Sequence, residues 1–238
     1  MFFLFSGEGP TDLGVCANNA MRCDGKDYMY GPMTVVVSQI VEKQHKYSLL
    51  ETEHYGFVSE GALTDRASEL KDAKKELGLP GKKRGKETRY FFNNARVFAR
   101  IAIERKTKLN DEVVAVLFRD SDGTASAGRG LWDDKRQSIL AGFEEEGFKK
   151  GVPMLPKPKS EAWILCAVKN CYVDCDTLEN RSGNDNSPNS LKSELEKHLG
   201  NLPDSNTLCQ MVEERKIDIE QIKMPSFVAF ESNLKAVI

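Results

Sequence analysis

Six consecutive apolar residues, Val113-Val114-Ala115-Val116-Leu117-Phe118, constrain this chain more than any other feature. The run has strand length, is rich in β-branched side chains, and is apolar at every position rather than every second one. A half-solvated place in a sheet would leave alternate side chains in water. The run therefore belongs in the middle of a parallel sheet with helices on both faces. It stops abruptly at Arg119-Asp120-Ser121-Asp122-Gly123-Thr124. A second apolar strand, residues 2–6, stops as abruptly at Gly7-Glu8-Gly9-Pro10-Thr11-Asp12.

Helical periodicity fills much of the rest. Met33, Val36, Val37, Ile40 and Val41 form one stripe, and a second helix is expected from about Thr64 to Leu77, where Gly78, Pro80 and Gly81 stop it. A third begins near Thr88. Its Phe91, Ala95, Phe98 and Ala102 share one face, while Arg89, Asn93, Arg96 and Arg100 share another. Further helices are expected at about 133–146, from Ser160, and near 190–199, 204–215 and 226–236, with a strand near 152–155. Ser182 to Asn189 reads as a polar loop. The alternation of strands and helices through residue 170 predicts a parallel α/β core followed by a helical C-terminal extension, 171–238.

The 238 residues carry a net charge of only −2, but its distribution is uneven. Between Lys82 and Lys108 there are ten Lys/Arg against two acids, a local +8 that leaves −10 on the remainder. Polyanions are the natural partner of such a segment, with Lys82, Lys83, Arg84, Arg89, Arg96 and Arg100 the candidate nucleic-acid-binding residues and Tyr90 or Phe92 a stacking surface. The early apolar run is too short for a membrane span or a signal-peptide core, so a cytoplasmic protein with reduced cysteines is expected, without a membrane partner.

Acidic residues follow both apolar strands: Glu8 and Asp12 after the first, Asp120 and Asp122 after the second. Loops at the carboxyl ends of parallel strands line one crevice, so these four carboxylates are expected to converge. Clustered carboxylates repel unless a divalent cation lies between them, and hard oxygen ligands suit Mg²⁺ or Mn²⁺.

Glu8-Gly9-Pro10-Thr11-Asp12 after one apolar strand and Asp120-Ser121-Asp122 after another resemble the two motifs of the Toprim domain, shared by topoisomerases, primases and OLD-type nucleases. Pro156-Lys157-Pro158-Lys159-Ser160-Glu161-Ala162-Trp163 is similar to a Pro/Lys…Glu-x-Trp stretch of small stand-alone members. The resemblance implies a Toprim-like Rossmannoid sheet over residues 1–170, with about 20–105 as a largely helical insertion bearing the basic surface. It implies metal-dependent phosphodiester hydrolysis of DNA or RNA: Glu8, Asp12, Asp120, Asp122 and Glu161 as metal ligands, Glu8 also as general acid/base, and Lys157 or Lys159 neutralising charge on the phosphate. It further implies a setting in bacterial anti-phage defence beside a partner ATPase.

Two other readings stand beside it. Asp120-Ser121-Asp122-Gly123-Thr124 also matches the signature of haloacid-dehalogenase-type phosphatases, in which Asp120 would be the nucleophile; that reading leaves Glu8 and Asp12 without a role. A non-catalytic nucleic-acid-binding subunit is the other. For Trp163, Phe91 and Phe98, core packing is the simpler expectation.

Overall fold

A computed structural model of the chain describes residues 1–73, 86–121, 131–168, 175–187, 189–201 and 203–238. Its elements run β1 (Phe2–Gly7), β2 (Gly14–Cys16), β3 (Arg22–Asp24), β4 (Tyr28–Tyr30), α1 (Pro32–His45), α2 (Leu49–Thr52), β5 (Tyr55–Ser59), α3 (Glu60–Ala73) and α4 (Lys86–Leu109). They continue with β6 (Val113–Phe118), α5 (Leu131–Glu145), β7 (Gly151–Met154), α6 (Ser160–Val168), α7 (Cys175–Leu178), α8 (Leu191–Leu199), α9 (Ser205–Glu213) and α10 (Pro225–Val237).

The doubly apolar run is β6, lying between β1 and β7 and parallel to both, in a five-stranded sheet of order β3-β5-β1-β6-β7. Gly7 sits opposite Phe118, so Glu8 and Arg119 leave adjacent strands at the same carboxyl edge. Alternation along the strands divides the molecule into two cores. Phe3, Phe5, Val114, Val116 and Phe118 pack with α1, α6 and the C-terminal helices. Phe2, Leu4, Val113, Ala115 and Leu117 pack with Phe91, Phe98 and Ile139 of the helices on the opposite face. No helix among the described residues is long and apolar enough to cross a membrane.

Three expectations are corrected. The sheet is mixed, because edge strand β3 runs antiparallel to β5. Residues 20–105 are more than a helical insertion, since they supply β5, which pairs directly with β1. That strand is short and gains its place through long-range pairing. Its Gly56 permits the approach of β3, where a Cβ would lie 2.8 Å from the Cys23 carbonyl oxygen. Finally, four cysteines expected as thiols are joined as Cys16–Cys23 and Cys166–Cys175, each pair with Cα atoms within ordinary bridging distance, 5.7 and 5.5 Å. Cys209 is a buried thiol, and Cys171 lies outside the described residues.

Candidate functional site

The loops after β1, β6 and β7 meet at one residue, Ser160. Its backbone N–H donates to Asp120 Oδ1 at 3.2 Å, and its Oγ donates to Asp12 Oδ1 while standing 3.4 Å from Glu161 Oε2. Three acids widely separated in sequence thus gather at the amino end of α6, where the helix dipole favours negative charge. Ser121 fastens the loops together. Its N–H lies 3.2 Å from the Pro156 carbonyl oxygen and 3.0 Å from that of Pro158.

Burial pushes the Asp12 carboxyl above its ordinary value, against hydrogen bonds from Ser160 and Thr11 and the charges of Lys159 and Lys192. Burial also raises Glu161, and the Asp12 charge adds to it while its own backbone amide and Lys159 oppose. The two carboxylates therefore resist simultaneous ionisation. A divalent cation would relieve that conflict, and an all-oxygen donor set is the kind that suits Mg²⁺ or Mn²⁺. Among the described residues, no three His, Cys, Asp or Glu side chains form a ready metal site. Asp122, expected as a ligand, lies outside those residues.

Asp12 is delivered by a turn in which its N–H and that of Leu13 donate to the Gly9 carbonyl at 3.0 and 3.1 Å. Gly9 has φ +82°, and a Cβ there would lie 2.6 Å from Asp12 Oδ2. Gly9→Ala is therefore expected to displace Asp12 and to cost about 1–2 kcal/mol of stability, as measured by thermal melting.

Glu8 is exposed, and its charge acts on Tyr90 of α4. Lys157 Nζ lies 3.8 Å from Glu179. Lys159, whose Nζ is 3.1 Å from both Asp185 oxygens, is the lysine whose charge reaches both Asp12 and Glu161. Sequence reasoning missed Ser160 and Lys192. Ser160 carried a signal only as a helix-opening serine, and Lys192 carried none.

Of the basic residues, Lys82, Lys83 and Arg84 fall outside the described residues, and Arg89 is exposed. Arg96 and Arg100 are engaged within the fold. Arg100 Nε and Arg96 Nη2 lie 2.7 and 2.6 Å from the two oxygens of Glu146, just beyond α5, across the seam with α4. Burial raises the Glu146 carboxyl, but the Arg100 and Arg96 hydrogen bonds and charges outweigh it and hold it below the ordinary 4.5. A depressed carboxyl stabilises the fold above its unfolded value, and that contribution is lost as pH falls through the folded one. Glu146→Gln is expected to cost about 2 kcal/mol at pH 7, less than a fully buried pair, and the difference from wild type should shrink below pH 4.5 in thermal melts.

Comparison with family models, with curated proteins and with solved structures gives no match to this chain.

Proposed function

We propose that this chain is a Toprim-like, Mg²⁺- or Mn²⁺-dependent nuclease that hydrolyses phosphodiester bonds of DNA or RNA at the carboxyl edge of β1, β6 and β7. The observation that carries the reading is the convergence of Asp12, Asp120 and Glu161 on Ser160. Adjacent parallel strands β1 and β6, followed by Glu8 and by Arg119-Asp120, support the Toprim-like arrangement.

Asp12, Asp120 and Glu161, with Asp122, would hold the cation. When bound, it would polarise the phosphoryl group and lower the pKa of an attacking water. Ser160 fixes the orientation of the acids through its N–H and hydroxyl. Lys159 balances the negative charge of Asp12 and Glu161 and, beside a bound phosphodiester, offers a cation to the non-bridging oxygens. Glu8, exposed at the neighbouring strand end, is the candidate general acid/base. Arg89 and the segment Lys82–Arg84 supply sequence-independent attraction to the phosphate backbone. A partner ATPase, as the resemblance implies, would govern access of nucleic acid to this edge.

The test is incubation of the purified chain with plasmid, single-stranded DNA and RNA in Mg²⁺ or Mn²⁺, with and without chelator. Chelator-sensitive cleavage is expected. Hydrolysis of an aryl phosphate requiring Asp120 but not Asp12, without nucleic-acid cleavage, would establish the phosphatase instead. Salt-sensitive binding without turnover would establish the binding subunit.

A further inference from the structure

A second set of polar groups lies on the opposite face of the sheet from the carboxylates. Arg119 directly follows β6 and is only 1% exposed, yet among the described residues its Nε and Nη2 have no hydrogen-bond partner, while Nη1 donates to the Phe118 carbonyl at 2.8 Å. Strand alternation places Arg119 on the side of Leu117, and its guanidinium carbon stands 5.9 Å from the Tyr90 ring centroid of α4. Asn94, one helical turn beyond Tyr90 on the same face, is buried, and its Nδ2 has no partner among the described residues. Ser6 of β1, opposite Leu117 and on the Leu4 side, is fully buried, and its Oγ has no partner among the described residues.

Buried polar groups are almost always satisfied, because an isolated orphan forfeits its hydration without replacement. Among the described residues, three buried side chains on the α4 side of the sheet thus leave donor capacity unused. Nearby Lys135, also buried, has its Nζ 2.8 Å from the Ser121 carbonyl and 5.4 Å from the Phe91 ring centroid, so a second positive charge lies on this side. The acids facing the region are Glu60, hydrogen-bonded by the Tyr90 hydroxyl, and Glu8, whose charge reaches Tyr90. Unused N–H and O–H donors on the same side of the sheet as a guanidinium are the chemistry from which an anion site is built.

We propose that Arg119, with Asn94 and Ser6, forms a phosphate-binding subsite on the α4 side of the strand edge, separate from the carboxylates and reached past the exposed Tyr90. The inference rests on the nuclease reading in one respect: the phosphate belongs to the nucleic-acid substrate, held beside the bond that is cut. Arg119 then grips non-bridging oxygens through Nε and Nη2, the two nitrogens it leaves unused, while Asn94 and Ser6 supply neutral donors.

The test uses the full chain without divalent metal, titrated with inorganic phosphate by calorimetry, with folding of each variant checked by thermal melting. Wild type is expected to bind; Arg119→Lys, which keeps the charge but not the fork, to bind about 10-fold more weakly; and Asn94→Asp, which turns a carboxylate toward the anion, to lose binding. Ser6→Ala, the mildest change, is expected to weaken binding about 3-fold and remains informative if the other variants do not fold. A 5′-phosphorylated oligonucleotide compared with its 5′-hydroxyl form distinguishes a terminal phosphate, which gives the former an advantage, from an internal one, which does not. Absence of phosphate binding by the folded wild type, as when the pocket holds water only, overturns the proposal, as does equal binding by wild type and every folded variant. Phosphate binding without nucleic-acid cleavage removes the nuclease reading and leaves the subsite standing. Cleavage without phosphate binding removes the subsite alone.

Discussion

Asp120→Asn is expected to lower the rate of metal-dependent nucleic-acid cleavage about 10³-fold while leaving the thermal midpoint within about 2 °C of wild type. The substitution is nearly isosteric and retains an oxygen that can accept the Ser160 N–H now 3.2 Å from Oδ1, so the joint between the loops after β6 and β7 survives. What disappears is the negative charge that a divalent cation requires. Asp12→Asn follows the same logic with one difference. Asp12 and Glu161 are both raised by burial and repel each other, so removing the Asp12 charge in the metal-free protein should be neutral or stabilising by about 1 kcal/mol, even as activity falls. Loss of activity together with retained or increased stability distinguishes functional carboxylates from structural ones. Single-turnover cleavage and differential scanning calorimetry on the two variants and wild type provide the measurement. Unchanged cleavage in both would remove the carboxylates from the mechanism.

The framework was legible because its strongest signals are local. Val113–Phe118 has one physical solution, a strand buried on both faces, and it occupies that place. Helical stripes located α1, α4 and the C-terminal helices to within a few residues. β5 was missed because five residues carry little periodicity; its strand character comes from pairing with β1, more than fifty residues away in sequence. The acids were legible as a class. That Asp12, Asp120 and Glu161 would share Ser160 depends on the relative rotation of loops, which spacing does not encode. The arginine stripe illustrates the opposite hazard. Arg96 and Arg100 have the periodicity of an exposed face, yet Glu146, some fifty residues away in sequence, claims both. A charged stripe on an amphipathic helix can serve a neighbouring helix as readily as a polyanion.

Trp163→Ala is the substitution expected to damage the fold most, by about 3–5 kcal/mol, or about 10 °C in thermal midpoint. Trp163 is fully buried, stacks on Phe230 at 5.7 Å, meets the Phe227 ring edge-on at 5.1 Å, and donates from Nε1 to Ser226 Oγ at 2.9 Å. The Ser226 N–H in turn donates to Glu179 at 2.6 Å, so one indole fastens α6 to α10 and to the turn after α7. Truncation leaves a large void between two phenylalanines and removes the ring hydrogen-bonded to a buried hydroxyl. Trp163→Phe should recover more than half of the loss, since it restores ring packing but not the N–H. The consequence extends to the site, because Trp163 and Glu161 lie two residues apart on α6 and so project to opposite sides of the helix. Anchoring the indole in the core sets the rotation that turns Glu161 and Ser160 toward Asp12. Trp163→Ala should therefore weaken Mn²⁺ binding even at temperatures where the protein remains folded, whereas Glu146→Gln, acting at the distant α4–α5 seam, should lower the midpoint without altering Mn²⁺ affinity. Equal Mn²⁺ affinity in Trp163→Ala and wild type, measured well below the midpoint of the variant, would separate the core from the site and refute this coupling.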